Sequence, residues 1–124
     1  MPITYSIDQE KRAIFEVWQG EITASELGAY WRRYLADPQV ILIRRTLVDL
    51  RNGAPRFSGE QLSDLVESIV VPMLEGRKWK SALLVARPVQ HGVSRQYNIF
   101  AATYSQDQIF TDRDAALRWL LEKN

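Results

Sequence analysis

The sequence contains no cysteine, and this absence excludes disulfide bonds, thiol nucleophiles and cysteine-ligated zinc. Its single histidine, His91, would need carboxylates as all the other ligands of a metal site. Neither Ser58 nor Ser94 lies in a G-x-S-x-G motif, and the glycines form neither a P-loop nor a dinucleotide-binding fingerprint. The sequence therefore predicts no metal, no cofactor and no catalytic residue, and we expect a protein that is not an enzyme.

An excess of charge of one sign is also missing. Lys and Arg number 16 against 15 Asp and Glu, which gives a net charge of +1, so we expect no nucleic-acid partner. No apolar run approaches the roughly 18 residues that a membrane-spanning helix needs. The first residues lack the basic-then-apolar layout of a signal peptide. These absences predict a cytoplasmic protein without a membrane span.

The chain of 124 residues has the composition of one globular domain, with 46% hydrophobic and 25% charged residues. No linker or low-complexity tract divides it, so we expect a single domain over residues 1–124. Two alternating segments, from Ile3 to Asp8 and from Ala13 to Gln19, predict an antiparallel hairpin at its start.

A first helix follows, and a capping box of Thr23 and Glu26 predicts where it begins. Its apolar stripe predicts which side faces the core, and the Asp37-Pro38 pair predicts its end. The stripe consists of Leu27, Tyr30, Trp31, Tyr34 and Leu35.

The stretch from Ile43 to Val66 is the segment around which the rest of the chain is organised. It predicts a buried strand from Thr46 to Leu50, and then a turn. A helix follows whose capping box is Ser58 with Gln61. Pro72 predicts a kink or a stop near the end of that helix. The turn consists of Asn52, Gly53 and Pro55.

The remaining pattern predicts two more strands and two more helices, the last of them capped by Thr111. The resulting order, β β α β α β α β α, predicts an α/β fold with a mixed five-stranded sheet and helices mainly on one face. These elements are expected at Lys80 to Ala86, Val89 to Tyr104, Gln108 to Phe110 and Asp112 to Lys123.

Such a layout leaves the opposite face of the sheet without helices. We assign Ile14, Glu16 and Trp18 to that face. An exposed apolar surface of this kind often mediates self-association, which favours a homodimer. Alternatively, the chain termini or the far end of the second helix cover it.

The third helix is the only one whose start lacks a Ser, Thr, Asp or Asn cap, so its first N–H groups are expected to be unpaired. His91 and Arg95 share a helix face with Asn98, and Arg87 precedes them. These four residues predict a site for a phosphate or carboxylate group. Alternatively, Pro88 starts the helix unaided and Arg95 pairs with a carboxylate.

Three further features have two interpretations each. Ser58 is a helix cap or a phosphoacceptor, and Asp49 is a structural acid or a site residue. The aromatic residues of the first and third helices pack the core or line an apolar pocket for a lipid-like ligand. They are Tyr30, Trp31, Tyr34, Tyr97, Phe100 and Tyr104.

Four segments that together span most of the chain carry a family resemblance: VWQGEIT, LVDLR, HGVSRQYNIFA and IFTDRDAALRWL. They resemble the SpoIIAA-like fold, which STAS domains share with the lipid-binding Sec14 domains. More closely, the chain resembles the small stand-alone bacterial proteins of that type. The resemblance implies a regulatory module that binds a protein partner and is switched by phosphorylation of a serine, here nearest to Ser58. The Sec14 likeness implies a carrier of a small apolar or lipid-like ligand, with an anionic head group near Arg87, His91 and Arg95.

Overall fold

The structure, a computed structural model, describes residues 2–122 as one five-stranded sheet packed with helices. The strands lie side by side in chain order, the first pair antiparallel and the others parallel. The predicted mixed sheet with a leading hairpin is therefore confirmed. The strands are β1 (Ile3–Asp8), β2 (Ala13–Thr23), β3 (Arg45–Arg56), β4 (Trp79–Leu84) and β5 (Ser105–Phe110).

The helices follow the predicted order, with one addition. The short helix α2 was not expected, although Asp37 caps it by accepting a hydrogen bond from Gln39 N at 2.9 Å. Within residues 2–122 no helix has the length and apolar character needed to cross a membrane. The helices are α1 (Ala24–Tyr34), α2 (Pro38–Ile43), α3 (Gly59–Leu65), α4 (Val71–Leu74), α5 (Pro88–Ala101) and α6 (Arg113–Leu121).

A π-helical turn, Val66–Val70, joins α3 to α4 and ends two residues before Pro72. The kink predicted near the proline therefore takes this form, since Pro72 offers no N–H to the carbonyls of the preceding turn. The predicted end of α6 at Lys123 lies outside the described residues.

The predicted capping boxes are present at the starts of α1 and α3. Thr23 Oγ1 accepts from Glu26 N at 3.2 Å, while Glu26 Oε1 accepts from Thr23 N at 2.9 Å. The predicted Thr111 cap is wrong, because α6 begins one residue later than that cap requires. Asp112 lies directly before the helix and accepts from Ala115 N at 3.2 Å.

The predicted turn at Asn52, Gly53 and Pro55 is also wrong, because β3 continues through it to Arg56. This extension pairs with β2 alone, since the pairing with β4 ends at Asp49. A strand tolerates proline where no neighbouring strand needs its N–H group, so Pro55 fits in this one-sided part of β3. Long-range pairing with β2 thus overrides the local turn preference.

Helices pack on both faces of the sheet, but most lie on one. The main core lies between the sheet and helices α1, α3 and α5, and it includes Ile14 and Trp18. The assignment of Ile14, Glu16 and Trp18 to a helix-free face is therefore wrong, because all three are buried on the face that α1, α3 and α5 cover. Helix α6 covers the other face through Ala116 and Leu120.

This second core removes the reason for expecting a homodimer through an open sheet face. The alternative, in which a terminal segment covers the face, is the one observed. Its buried residues are Ala13, Leu47, Ala82, Leu84, Ala116 and Leu120.

One close contact between β2 and β3 demands a glycine. A Cβ atom added to Gly53 would lie 2.7 Å from Trp18 Cβ, beside a shift in the strand register between Val17 and Gln19. We expect Gly53→Ala to lower the free energy of unfolding by roughly 2–3 kcal/mol, because the two buried backbones must separate.

The matched control is Gly92→Ala in α5, where an added Cβ meets no atom within 4 Å. It should raise the free energy of unfolding by roughly 0.5–1 kcal/mol, since alanine favours the helix. Urea denaturation followed by circular dichroism measures both. Equal stability of the two variants would show that the Gly53 contact is not tight.

Candidate functional site

A cavity of about 60 Å³ lies in the main core, between the sheet and helices α1, α3 and α5. Its walls are mostly apolar and aromatic, as is typical of sites for small molecules. No lysine, arginine or histidine is among the described residues that line it. The polar side chains of its wall include Glu16, Thr46, Ser81 and Ser94.

Glu16 is the one carboxylic acid in that wall, and it is 4% exposed. Its Oε2 accepts a hydrogen bond from Trp18 Nε1 at 2.8 Å, and its Oε1 accepts from the Tyr30 hydroxyl at 2.7 Å. Burial raises the pKa of Glu16 to about 7, while these two donors act in the opposite direction. The residue therefore changes its charge near neutral pH.

One polar group on the α5 side of the cavity is unpaired, because Ser94 Oγ is buried and has no hydrogen-bond partner. Asp107 of β5 is partly buried but does not line the cavity, and its Oδ1 accepts from the Ser105 hydroxyl at 2.7 Å. Burial raises the pKa of Asp107 to about 6, partly offset by the hydroxyls of Ser105 and Ser81. Unpaired buried polar groups cost free energy, so they mark places where a ligand group fits.

All six aromatic residues that the sequence singled out pack in or against the main core, and three of them also line the cavity. Tyr30 and Tyr34 stack with ring centroids 5.4 Å apart, and Trp31 packs against Tyr97 at 6.0 Å. Trp31, Tyr34 and Tyr97 also line the cavity. The Tyr34 hydroxyl forms a hydrogen bond with the Thr46 hydroxyl, which fixes α1 to β3.

The four residues predicted to hold an anion lie outside the cavity. Arg87, His91 and Arg95 are exposed, and none of the four lines its wall. Arg87 Nη2 donates to Gly53 O at 3.2 Å, and Asn98 Nδ2 donates to Asp107 O at 3.4 Å. The structure thus does not join an anion site on α5 to the apolar pocket.

The backbone N–H groups at the start of α5 have more hydrogen-bond acceptors than the sequence suggested. The Gln90 Oε1 atom accepts from Ala86 N at 2.8 Å and from Arg87 N at 3.0 Å. The N–H groups of Gln90 and His91 donate to the Arg87 carbonyl. The expectation of unpaired N–H groups is therefore wrong for Gln90 and His91, because the Arg87 carbonyl accepts from both, while the Gln90 side chain pairs the two N–H groups that precede the helix.

Ser58 and Asp49 both have structural roles. Ser58 is exposed, and its Oγ accepts from Gln61 N at 3.1 Å, so it caps α3 as predicted. Asp49 forms a salt bridge with Arg51 at 2.9 Å. Although partial burial acts in the opposite direction, the hydrogen bonds from Arg51 lower the pKa of Asp49. Among residues 2–122 no group of three or more His, Asp or Glu side chains is arranged to hold a metal ion.

Comparison with known proteins supports the fold. No protein-family model matches the sequence, and no curated protein matches it either. A solved structure is similar over nearly the whole chain: an uncharacterized protein of the DUF3478 family from Shewanella loihica, described as having a SpoIIAA-like fold. The two chains are 19% identical, with a TM-score of 0.61 over 95% of this chain and 93% of the other. The chain therefore has the predicted SpoIIAA-like fold.

The pKa of Glu16 makes stability depend on pH. Ionising Glu16 costs more free energy in the folded chain than in the unfolded chain. The stabilisation of the fold by the neutral carboxyl group is therefore complete below about pH 4.5 and is lost as the pH rises to about 7. This loss amounts to roughly 3 kcal/mol. Since Glu16→Gln cannot ionise, its stability relative to the wild type should increase over that interval. Urea denaturation at a series of pH values measures the difference.

Asp107→Asn is the comparison variant. Its relative stability should change less and level off at a lower pH, because burial raises the pKa of Asp107 only to about 6. If the Glu16→Gln and wild-type curves run parallel between these pH values, Glu16 does not titrate as described.

Proposed function

We propose that this chain is a non-enzymatic binding module that holds a small, uncharged and mostly apolar molecule in its central cavity. The observation that carries this proposal is the Ser94 hydroxyl, which is buried in the cavity wall without a hydrogen-bond partner. A ligand with one polar group at that end and an apolar body satisfies the hydroxyl and fills the apolar space.

The charges around the cavity disfavour an anionic ligand. An anionic group would meet the Glu16 carboxylate in the wall when that residue is ionised. Arg87, His91 and Arg95, the expected partners of an anionic head group, are absent from the wall. The contacts therefore support a carrier whose small apolar ligand has no anionic head group.

The size of the cavity sets a second condition. A space of about 60 Å³ corresponds to about two water molecules, whereas most ligand sites exceed roughly 300 Å³. Binding therefore requires one wall to move. Val70 and Leu74 form part of the wall, and they belong to the π-helical turn and to α4. Such turns are the irregular parts of helices and occur often at functional sites.

Binding fits the hydrogen bonds of Glu16 better than acid–base catalysis does. Each of its two carboxyl oxygens already accepts a hydrogen bond, from Trp18 and from Tyr30. A general base needs an oxygen directed at its substrate. The carboxyl group instead connects β2 to α1 in the wall of the site.

A second candidate function is regulation through contact with a protein partner, which the exposed position of Ser58 favours. The serine lies where β3 gives way to α3, and its hydroxyl is accessible to a modifying enzyme. Helix α5 packs against α3 and exposes two large apolar side chains, Val89 at 53% and Ile99 at 70%. Phosphorylation would add charge beside this surface and alter its affinity for a partner.

The cavity proposal is tested with two probes that differ in charge, n-hexanol and n-hexanoate. At a pH above 7, hexanol should shift the amide NMR signals of the cavity-lining residues, while hexanoate should not. Ser94→Ala should bind hexanol more weakly, yet unfold with a free energy about 1 kcal/mol higher without ligand, because the unpaired hydroxyl is gone.

The control for this variant is Ser25→Ala, at an exposed position of α1. It should leave hexanol binding unchanged. Equal binding of hexanoate, or hexanol shifts that avoid the cavity, would contradict the proposal.

The regulatory function is tested by the mass of the protein isolated from its own host, first native and then denatured. A phosphate that survives denaturation and maps to Ser58 is the expected result for that function, and Ser58→Ala should abolish it.

A native mass of twice the chain would confirm the predicted homodimer. An unmodified Ser58 under all growth conditions would exclude the phosphorylation switch.

A further inference from the structure

A basic groove of about 770 Å³ lies where three parallel strands begin, at Arg45, Trp79 and Ser105. We define the basic groove by the five cationic side chains among the described residues that line it, where Glu122 is the one carboxylate. The overall charge of +1 therefore conceals a concentration of positive charge at this edge of the sheet. The five cations are Arg44, Arg45, Arg77, Lys78 and Lys80.

No ion pair between described residues neutralises these cations. Among residues 2–122, every salt bridge within 4.0 Å lies elsewhere, and none includes a cation of the basic groove. Arg77 Nη1 instead donates to Met73 O at 2.7 Å, and Lys80 Nζ donates to Trp119 O at 2.6 Å. Backbone carbonyls satisfy hydrogen bonds but carry only partial charge, so a positive field remains in the basic groove.

Arg44 supplies an independent indication of a ligand. It ends α2 in the left-handed conformation, with φ of 58°, and so stands at a fixed position directly before β3. Its Nε atom is buried and has no hydrogen-bond partner. A buried donor of a charged group without an acceptor is costly, and an anion bound at the terminal nitrogens of the guanidinium group would offset that cost by compensating its charge.

We propose that the basic groove binds a small multivalent anion of the phosphate type, such as pyrophosphate or a phosphorylated metabolite. Guanidinium groups match phosphate oxygens in geometry, and ammonium groups add point charges beside them. The concave shape favours a small ligand over a membrane surface. This site is distinct from the central cavity, with which it shares the wall residue Trp79.

The competing explanation is that the cations only cap the carboxyl ends of helices, as Arg77 and Lys80 do. Lys78 separates the two explanations, because it is exposed and makes none of these contacts. If the basic groove binds an anion, Lys78 adds to the positive field at the ligand, so reversing its charge weakens anion binding and removes the stabilisation that the anion gives. If the cations serve only the fold, a multivalent anion gives no stabilisation that the change at Lys78 could remove.

Calorimetric titration of the full chain with inorganic pyrophosphate at low ionic strength provides the test. We expect binding that weakens with added salt, and affinities at least about tenfold lower in Lys78→Glu and in Arg44→Asn. Asparagine tolerates the left-handed conformation, so the second variant retains the local backbone. The matched control is Arg95→Glu, which makes the same charge change as Lys78→Glu on the exposed face of α5 and should bind normally.

Three results would overturn the proposal. One is the absence of binding at millimolar pyrophosphate, and another is association with vesicles of anionic lipid but not with pyrophosphate in solution. The third is loss of binding in Arg95→Glu with retention in Lys78→Glu. That last result would place the anion site on α5, where His91 and Arg95 lie.

Discussion

The parallel pairing of β2 with β3 is the constraint on which the rest of the structure depends. It runs from Ile14 opposite Thr46 to Thr23 opposite Arg56, and Gly53 allows the two strands to approach beside Trp18. Because the two strands end level with each other, α1 and α3 start side by side. Helix α5 is tied to the same segment, since Gln90 Nε2 donates to the carbonyls of Arg51 and Gly53. The three helices around the cavity are thus positioned relative to one stretch of β3.

The parts of the fold that depend on local sequence could be predicted, and those that depend on distant pairing could not. The hairpin and the capping boxes at Thr23 and Ser58 follow from residues within a few positions of one another. The chemistry of Gly53 and Pro55 is that of a turn, yet β2 offers a partner ladder and keeps these residues extended. The position of α6 likewise depends on the second apolar face of the sheet. That face is formed by several strands together, so the pattern of any one strand does not reveal it.

The candidate site was harder to predict than the fold, because its polar residues come from different elements. Glu16 belongs to β2, Ser81 to β4 and Ser94 to α5, so no spacing along the chain connects them. Spacing along one helix instead drew attention to His91 and Arg95, which are exposed. The sequence did contain one usable signal. An acid between Ile14 and Trp18 on the same strand face is an acid among core residues.

A comparison within α5 separates a buried polar group that the fold accounts for from one that the fold leaves unpaired. Gln90 and Ser94 are one helical turn apart and almost fully buried, at 0% and 2% exposure. The Gln90 side chain makes four hydrogen bonds, all to backbone groups, so the fold alone accounts for it. The Ser94 hydroxyl makes none. An alanine at that position would suit the helix and would bury no polar group. What distinguishes the two environments is the cavity beside Ser94, and the proposed ligand would supply there the partner that the fold itself does not.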